Sequence, residues 1–245
     1  MMNGKKAIAH RGFSSKYPEN SMLAFEKAVE IGADGAEFDL QLTKDGVLVV
    51  FHDESLLRIT GENKLISELT YNELQRYDIS YRFRGACPAQ RIPAFEDYCR
   101  LVKDLDFLNI IELKTAINEY PGIEEQTVAL VRAYDLTDRV VISSFNHYSL
   151  LRSKALAPEI PHAILYECRI AEPQRYASEL GMQYLHPNYL FLNDAELHKY
   201  EAAGVKTSPW TVDNEADMRY FLQNENIFAV MSNKPDVLIS VKNAL

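Results

Sequence analysis

Three observations predict an α/β chain closed into a (β/α)8 barrel of the TIM type. Short apolar runs alternate with segments of helical period, glycine repeatedly separates a helix from the next strand, and polar residues gather where strands end.

The first strand is read at Ala7-Ile8-Ala9-His10. A helix follows Asn20-Ser21, with Phe25, Ala28 and Val29 on one face. Gly32 ends it, and Gly35-Ala36-Glu37-Phe38-Asp39 opens the second strand. The same punctuation recurs at Gly181 before Tyr184-Leu185-His186 and at Gly204 before Val205-Lys206-Thr207. Glycine just past a helix end adopts the left-handed conformation at little cost. Pro93 is expected at the first position of a helix carrying Phe95, Tyr98, Cys99 and Val102 at the i, i+3, i+4, i+7 spacing. A second helix carries Ile123, Thr127, Leu130, Val131 and Tyr134, and Asn214 caps a third that buries Met218, Phe221 and Leu222. The remaining strands are read at Leu108–Leu113, Val140–Ser144, 163–166 and 227–232, with a final helix near 235–241. Eight strand–helix units favour closure into a barrel over an open doubly wound sheet, which is the structural alternative.

One stretch breaks the rhythm. Residues 40–92 hold no crossover helix of ordinary length. Lys44-Asp45-Gly46-Val47 reads instead as a two-residue hairpin turn with Asp-Gly at its centre. Facing residues then sum to 91, which sets Asp39 opposite His52, with Glu37 on the same side of the sheet. Residues 53–92 read as an insertion on this rim, within one domain spanning 1–245.

Composition narrows the function classes. With 47% hydrophobic residues in 245, the chain can bury a full core. Its 26 basic and 35 acidic residues, without a Lys/Arg run, make nucleic acid and anionic membranes poor partners. Cys87, Cys99 and Cys168 are odd in number and lack a CxxC pair, so they read as packing residues and not as a disulfide or zinc framework. No apolar signal region follows Met1-Met2-Asn3-Gly4-Lys5-Lys6, and no dense apolar run is longer than the five residues at 47–51. The expectation is a cytoplasmic enzyme without stable membrane insertion. Walker, Rossmann, HExxH and GxSxG signatures are absent.

The chemistry gathers at three strand ends: His10-Arg11-Gly12, the Glu37-x-Asp39 strand with His52 on its hairpin, and Glu112-Leu113-Lys114. Strand C-terminal ends are where such barrels keep their sites. Each piece alone has a plain reading: a solvated acidic edge, a hydrogen-bonded histidine, a cross-strand ion pair. Together they are less ordinary, because charge stands only at the end of strands that are otherwise apolar, where burial is costly without a partner or metal. Three carboxylates at one spot repel one another, and a divalent cation resolves that repulsion. All-oxygen ligation by Glu37, Asp39 and Glu112 suits Mg²⁺, Ca²⁺ or Mn²⁺. Arg11 and Lys114 would hold phosphate charge, and His10 and His52 would serve as general acid and base.

The ordered set His10-Arg11-Gly12, Pro18-Glu19-Asn20-Ser21, Glu37-Phe38-Asp39, Leu42-Thr43-Lys44-Asp45-Gly46 and His52-Asp53 resembles the glycerophosphodiester phosphodiesterases. Glu112-Leu113-Lys114, Ser144-Phe145 and Trp210-Thr211-Val212-Asp213-Asn214 continue the resemblance to about Pro235. It implies metal-dependent hydrolysis of a small glycerophosphodiester to glycerol 3-phosphate and an alcohol, with one divalent cation, Mg²⁺ or Ca²⁺. A glycerol hydroxyl would attack first, and water would open the cyclic phosphate. It also implies Asn20 near the metal, Asp53 behind the reacting groups, and Trp210 lining the mouth against substrate. Such enzymes commonly end the last strand in Thr-Asp before a proline, whereas this chain has Ser232-Asn233-Lys234-Pro235. Two other readings follow from the same residues: a phospholipase D-like barrel acting on lysophospholipids, and a catalytically silent barrel binding phosphorylated metabolites. His147, His162 and His198 read as structural, and His186, which ends a strand before Pro187, is ambiguous between packing and pocket.

Overall fold

A computed structural model describes residues 5–83 and 85–245, so expectations touching Met1 to Gly4 or Arg84 lie outside the described residues. The strands in chain order are β1 (Lys6–His10), β2 (Gly35–Leu42), β3 (Leu48–Val50), β4 (Leu108–Leu113), β5 (Val140–Ser144), β6 (His162–Tyr166), β7 (Tyr184–Pro187), β8 (Lys206–Thr207) and β9 (Ala229–Ser232). All but β3 run parallel, in the order β8-β7-β6-β5-β4-β2-β1-β9. The seam between β8 and β9 is crossed by a parallel bridge from Thr207 to Ile227, by Phe228 N–H donating to Thr207 O at 2.9 Å, and by Met231 N–H donating to Pro209 O at 3.1 Å. These eight strands form the expected (β/α)8 barrel.

The helices are α1 (Met22–Glu30), the one-turn α2 (Leu57–Thr60) and α3 (Tyr71–Leu74), then α4 (Phe95–Val102), α5 (Ile123–Ala133), α6 (His147–Leu156), α7 (Pro173–Glu179), α8 (Asp194–Ala202), α9 (Glu215–Gln223) and α10 (Pro235–Asn243). Ser21 caps α1 through its side chain, and Asn214 caps α9 as expected. Pro93 does not start α4, which begins at Phe95 after Ala94. Pro93 O accepts from Val50 N–H and Ala94 bridges Val49, so this segment stays extended against β3.

Strand alternation sorts the core into two layers. Outward residues such as Ala7, Ala9, Phe38, Leu40, Ile111 and Leu113 pack under the helices. There Phe25, Phe38 and Tyr98 interlock, with Tyr98 4.7 Å from Phe25 and 4.2 Å from Phe38 between ring centroids. The Tyr98 hydroxyl satisfies its buried polar end by donating to Asn109 Oδ1 at 2.7 Å. Inward residues Ile8, Leu108, Ile110, Val141, Ala229 and Met231 fill the floor of the barrel. Gly35 admits the β2–β4 contact, since a Cβ there would lie 2.2 Å from Leu108 O.

The hairpin differs from expectation by one residue. Leu40 pairs Val50 and Gln41 pairs Val49, so facing residues sum to 90 and Asp39 stands opposite Phe51, not His52. The turn has three residues: Thr43 N–H donates to Val47 O, and Gly46 takes a φ of 78°. That is the three-residue loop with a left-handed last residue. Between β3 and α4 the described residues make only the two one-turn helices and single 3-10 turns. Leu56, Ile59, Ile66, Leu74, Ile79 and Ile92 give this stretch an apolar cluster of its own.

His162, at the start of β6, is fully buried with Nε2 3.0 Å from Ser153 Oγ. Burial lowers its pKa from 6.5 to about 4. The unfolded chain therefore binds a proton that the folded chain refuses. Stability should be complete above pH 6.5 and fall as pH drops toward 4, by up to about 3 kcal/mol from this residue. Urea unfolding at neutral pH and at mildly acidic pH checks it, and His162→Gln should flatten the difference.

Candidate active site

Parallel register assembles the site. It sets His10 of β1 beside Glu37 of β2, and Asp39 of β2 beside Glu112 of β4. Alternation sends Ala36, Phe38, Leu40, Ile111 and Leu113 outward, leaving Glu37, Asp39 and Glu112 facing the lumen. All three are buried, and one oxygen from each lies within 4.8 Å of the others.

The electrostatics of this triad are unequal. Burial, then the Asp39 and Glu112 charges, push the Glu37 carboxyl well above its ordinary value. Burial and Asp39 raise Glu112 to about 7. Burial works against Asp39 too, but His52, Arg11, Lys114 and the Asn20 hydrogen bond outweigh it and hold its carboxyl below the ordinary range. Lys114 Nζ sits 2.9 Å from Glu112 Oε1 and 3.9 Å from Asp39 Oδ1. Asn20 Nδ2 donates to Asp39 Oδ2 at 2.8 Å, and Arg11 Nε lies 3.7 Å from the same oxygen. Asp39 Oδ1 and Asn20 Oδ1 remain buried without a hydrogen-bond donor. Such orphaned oxygens are costly. Two of them beside clustered carboxylates fit a hard divalent cation.

Backbone strain supports these positions. Arg11 and Asn20 both have positive φ, 55° and 56°, uncommon for residues with a Cβ. Main-chain bonds lock them, with Asn20 N–H donating to Arg11 O and Arg11 N–H to Glu37 O. Gly12 follows at a φ of 76°, and a Cβ there would sit 2.8 Å from Ala24.

His52 reaches the site by leaving β3, not by facing Asp39. The buried Gln41 amide donates to Phe51 O at 2.8 Å, to His52 O at 3.3 Å and to Asp53 O at 2.8 Å. The Tyr120 hydroxyl donates to Gln41 Oε1 at 2.8 Å and so fixes the amide's direction. Asp53 Oδ1 lies 2.6 Å from His52 Nδ1 and accepts a hydrogen bond from it.

His10 has a different backing. Asn233 Oδ1 lies 2.7 Å from His10 Nδ1. Asn233 Nδ2 donates to Asp213 Oδ2 at 2.7 Å, which points the amide oxygen at the imidazole. Asp213 also accepts from Ser232 Oγ and Asn233 N–H, both at 2.9 Å. His10 therefore carries its proton on Nδ1, leaving Nε2 unprotonated. Burial, then the Arg11 charge, lowers its pKa to about 4.

A cavity of about 350 Å³ joins these groups. Its charged wall holds His10, Arg11, Glu37, His52, Glu112 and Lys114, and its other wall includes Phe145, Leu165, Glu167, His186 and Trp210. Asn20 and Asp53 stand behind it, bonded to Asp39 and His52. Trp210 Nε1–H donates to His186 O at 2.8 Å, and its ring meets Phe145 edge-on at 5.9 Å. His186 lines the pocket although it is buried with neither ring nitrogen bonded. Sequence reasoning missed Gln41, Tyr120, Asn233 and Asp213 as supports. The Asn233–His10 bond spans 223 positions, and only the unusual Ser232-Asn233 in place of Thr-Asp marked that end of the chain.

If the triad holds a cation, saturating Mg²⁺, Mn²⁺ or Ca²⁺ should raise the thermal unfolding midpoint. A cation at a hundred times its Kd stabilises the fold by about 2.7 kcal/mol. Thermal unfolding of the wild type and of the Glu37→Gln/Glu112→Gln double variant checks this, the increment being lost in the variant.

The comparisons agree with this geometry. The model of the glycerophosphoryl diester phosphodiesterase family matches residues 10–237. A glycerophosphodiester phosphodiesterase of Caldanaerobacter subterraneus subsp. tengcongensis is 40% identical over 234 residues, 96% of each chain. One from Bacillus altitudinis is 37% identical over 246 residues, covering 98% of this chain and 99% of the relative. Among solved structures, an Oleispira antarctica phosphodiesterase in complex with the product sn-glycerol-3-phosphate superposes with a TM-score of 0.87 at 27% identity, covering 96% of each chain. A glycerophosphodiester phosphodiesterase from Parabacteroides distasonis gives 0.83 at 26% identity, over 98% of this chain and 99% of the other. A site that gathers three carboxylates, two histidines and two cations, and relatives matching over nearly the whole length, lead to one conclusion: the chain belongs to the glycerophosphoryl diester phosphodiesterase family.

Proposed function

We propose that this chain, one domain with a rim insertion at 53–92, hydrolyses small glycerophosphodiesters to glycerol 3-phosphate and an alcohol, with Glu37, Asp39 and Glu112 holding one divalent cation. The observation that carries the reading is the buried carboxylate triad, flanked by Arg11 and Lys114 and by two histidines in one cavity. Hard oxygen ligands favour Mg²⁺ or Ca²⁺, with Mn²⁺ also suited. The bound cation would neutralise phosphate charge and polarise its oxygens.

The remaining chemistry belongs to side chains. Arg11 and Lys114 hold the phosphate through charge-assisted hydrogen bonds. His10, neutral with a free Nε2, accepts the proton of the attacking glycerol hydroxyl as that oxygen bonds to phosphorus. His52 gives a proton to the departing alcohol oxygen as its bond to phosphorus breaks. The resulting cyclic phosphate is opened by water with the roles reversed: His52 takes the water proton and His10 returns one to the glycerol oxygen. Trp210 and Phe145 provide an apolar wall against the substrate's carbon skeleton. Asn20 and Asp53 act through the groups they hold. No helix among the described residues is long and apolar enough to cross a membrane. The reaction itself and the acidic charge fit a cytoplasmic enzyme of lipid and glycerol metabolism.

Incubating the protein with glycerophosphocholine and each cation should release glycerol 3-phosphate, with EDTA abolishing release. His10→Ala and His52→Ala should each lower kcat by about 10²–10⁴-fold. No release under any cation would sink the reading. Asn233→Leu, which removes the acceptor behind His10, should lower kcat by about ten- to a hundredfold with little change in KM. Asn233→Asp, which keeps the acceptor, should recover most of it, and steady-state kinetics of the two variants separates these outcomes.

One observation favours a lipid substrate as a second reading. Ile117, Tyr148 and Leu190, 74%, 76% and 66% exposed, follow β4, β5 and β7 on the catalytic rim. They would meet an acyl chain. Faster turnover of a lysophospholipid than of glycerophosphocholine would select this phospholipase D-like activity.

A further inference from the structure

The insertion carries one arginine that bridges supports of both halves of the site. Arg58 lies in α2, between the buried anchors Leu56 and Ile59 of the insertion's apolar cluster. Its guanidinium uses every nitrogen. Nε donates to Asp53 Oδ2 at 2.6 Å and Nη2 to Asp53 Oδ1 at 3.0 Å. Nη1 donates to Glu19 Oε2 at 3.0 Å and Nη2 to Glu19 Oε1 at 2.6 Å. Both carboxylates are thus held in bidentate fashion by one planar group.

Each carboxylate in turn orients a residue lining the cavity. Asp53 Oδ1 accepts from His52 Nδ1 at 2.6 Å. Glu19 Oε1 accepts from Arg11 Nη1 at 3.0 Å. The path His52–Asp53–Arg58–Glu19–Arg11 therefore links the hairpin exit to the loop after β1, 39 positions apart at the Arg58–Glu19 contact. From Asp53 through Arg58 and Glu19 to Arg11 the signs alternate, so each of these charges meets its opposite.

We infer that Arg58 is a positioning residue for the reaction proposed above, and that seating this guanidinium is the insertion's contribution to catalysis. It touches neither the triad nor the cavity wall. It acts by fixing the Asp53 oxygens toward His52 and the Glu19 oxygens toward Arg11. The planar fork is essential: a lysine ammonium supplies the charge but cannot span two carboxylates in parallel pairs.

The test compares Arg58→Ala and Arg58→Lys with the wild type by steady-state kinetics on glycerophosphocholine with saturating cation, alongside thermal unfolding. Wild-type turnover tests the underlying reading, and only the variant-to-wild-type ratio tests Arg58. Arg58→Ala should lower kcat/KM by about ten- to a hundredfold, since small misplacements of reacting groups are costly. Arg58→Lys should remain nearly as low. The Arg58 side chain is 34% exposed, so the space it leaves is open to solvent. Methylguanidinium at tens of millimolar should restore several-fold activity to Arg58→Ala and none to the wild type. Full activity in Arg58→Ala would overturn the inference. So would recovery by Arg58→Lys, which would reduce the role to net charge, or a loss in Arg58→Ala that methylguanidinium leaves unrelieved. Should Arg58→Ala fail to fold, the activity of folded Arg58→Lys decides alone.

Discussion

Three carboxylates stand within one ion's reach at the mouth of the barrel, and their mutual repulsion is the constraint around which the site is arranged. Like charges at this separation in a buried place cannot all ionise unaided. The protein supplies two cations and one amide, and it supplies them unevenly. Asp39, with Arg11, Lys114 and Asn20 around it, keeps its charge, while Glu37 and Glu112 are pushed toward the protonated form. A site in that condition is short of positive charge. In the reaction proposed above, a divalent cation would provide it, and a phosphodiester would then bring back the negative charge that Arg11 and Lys114 face.

The two histidines are held by opposite means. His10 is backed by the neutral Asn233 amide, whose direction is dictated by Asp213. His52 is backed by the Asp53 carboxylate, itself clamped by Arg58. In each case the imidazole's Nδ1 is committed to a support, which leaves Nε2 for chemistry. In the reaction proposed above, the neutral amide stands behind the histidine that first accepts a proton, and the carboxylate behind the one that first gives it. The stretch between β3 and α4, too short of regular helices to serve as an ordinary crossover, gains a purpose from this arrangement: it is stabilised by its own apolar cluster and reaches back to hold the site.

Much of this was legible from local pattern. Helix caps at Ser21 and Asn214, and the strands Leu108–Leu113 and Val140–Ser144, follow from side-chain chemistry within a few residues. His10, Glu37, Asp39, His52, Glu112, Arg11 and Lys114 were nameable because charge at the end of an apolar strand is expensive and therefore conspicuous. The hairpin failed by one residue because Asp-Gly serves a two-residue or a three-residue turn equally well, and Gly46 took the left-handed third position of the longer one. Under the observed register His52 would point away from Asp39 if the strand continued. It reaches the cavity only because the Gln41 amide gathers three successive carbonyls and bends the chain out of β3.

The sequence by itself determined the alternating elements, the barrel they imply, and the identity of the charged groups at its mouth. Those depend on periodicity, capping and the cost of burying charge, all of which act over short stretches of chain. Only the tertiary structure decided which groups support them. Parallel register set His10 beside Glu37 and Asp39 beside Glu112. Closure of the barrel brought Asn233 of the last strand's end to His10 of the first, and packing of the insertion brought Arg58 to Glu19. Hydrogen bonds between residues so far apart in sequence have no local signature, because nothing in either partner's neighbourhood encodes the distance that folding removes.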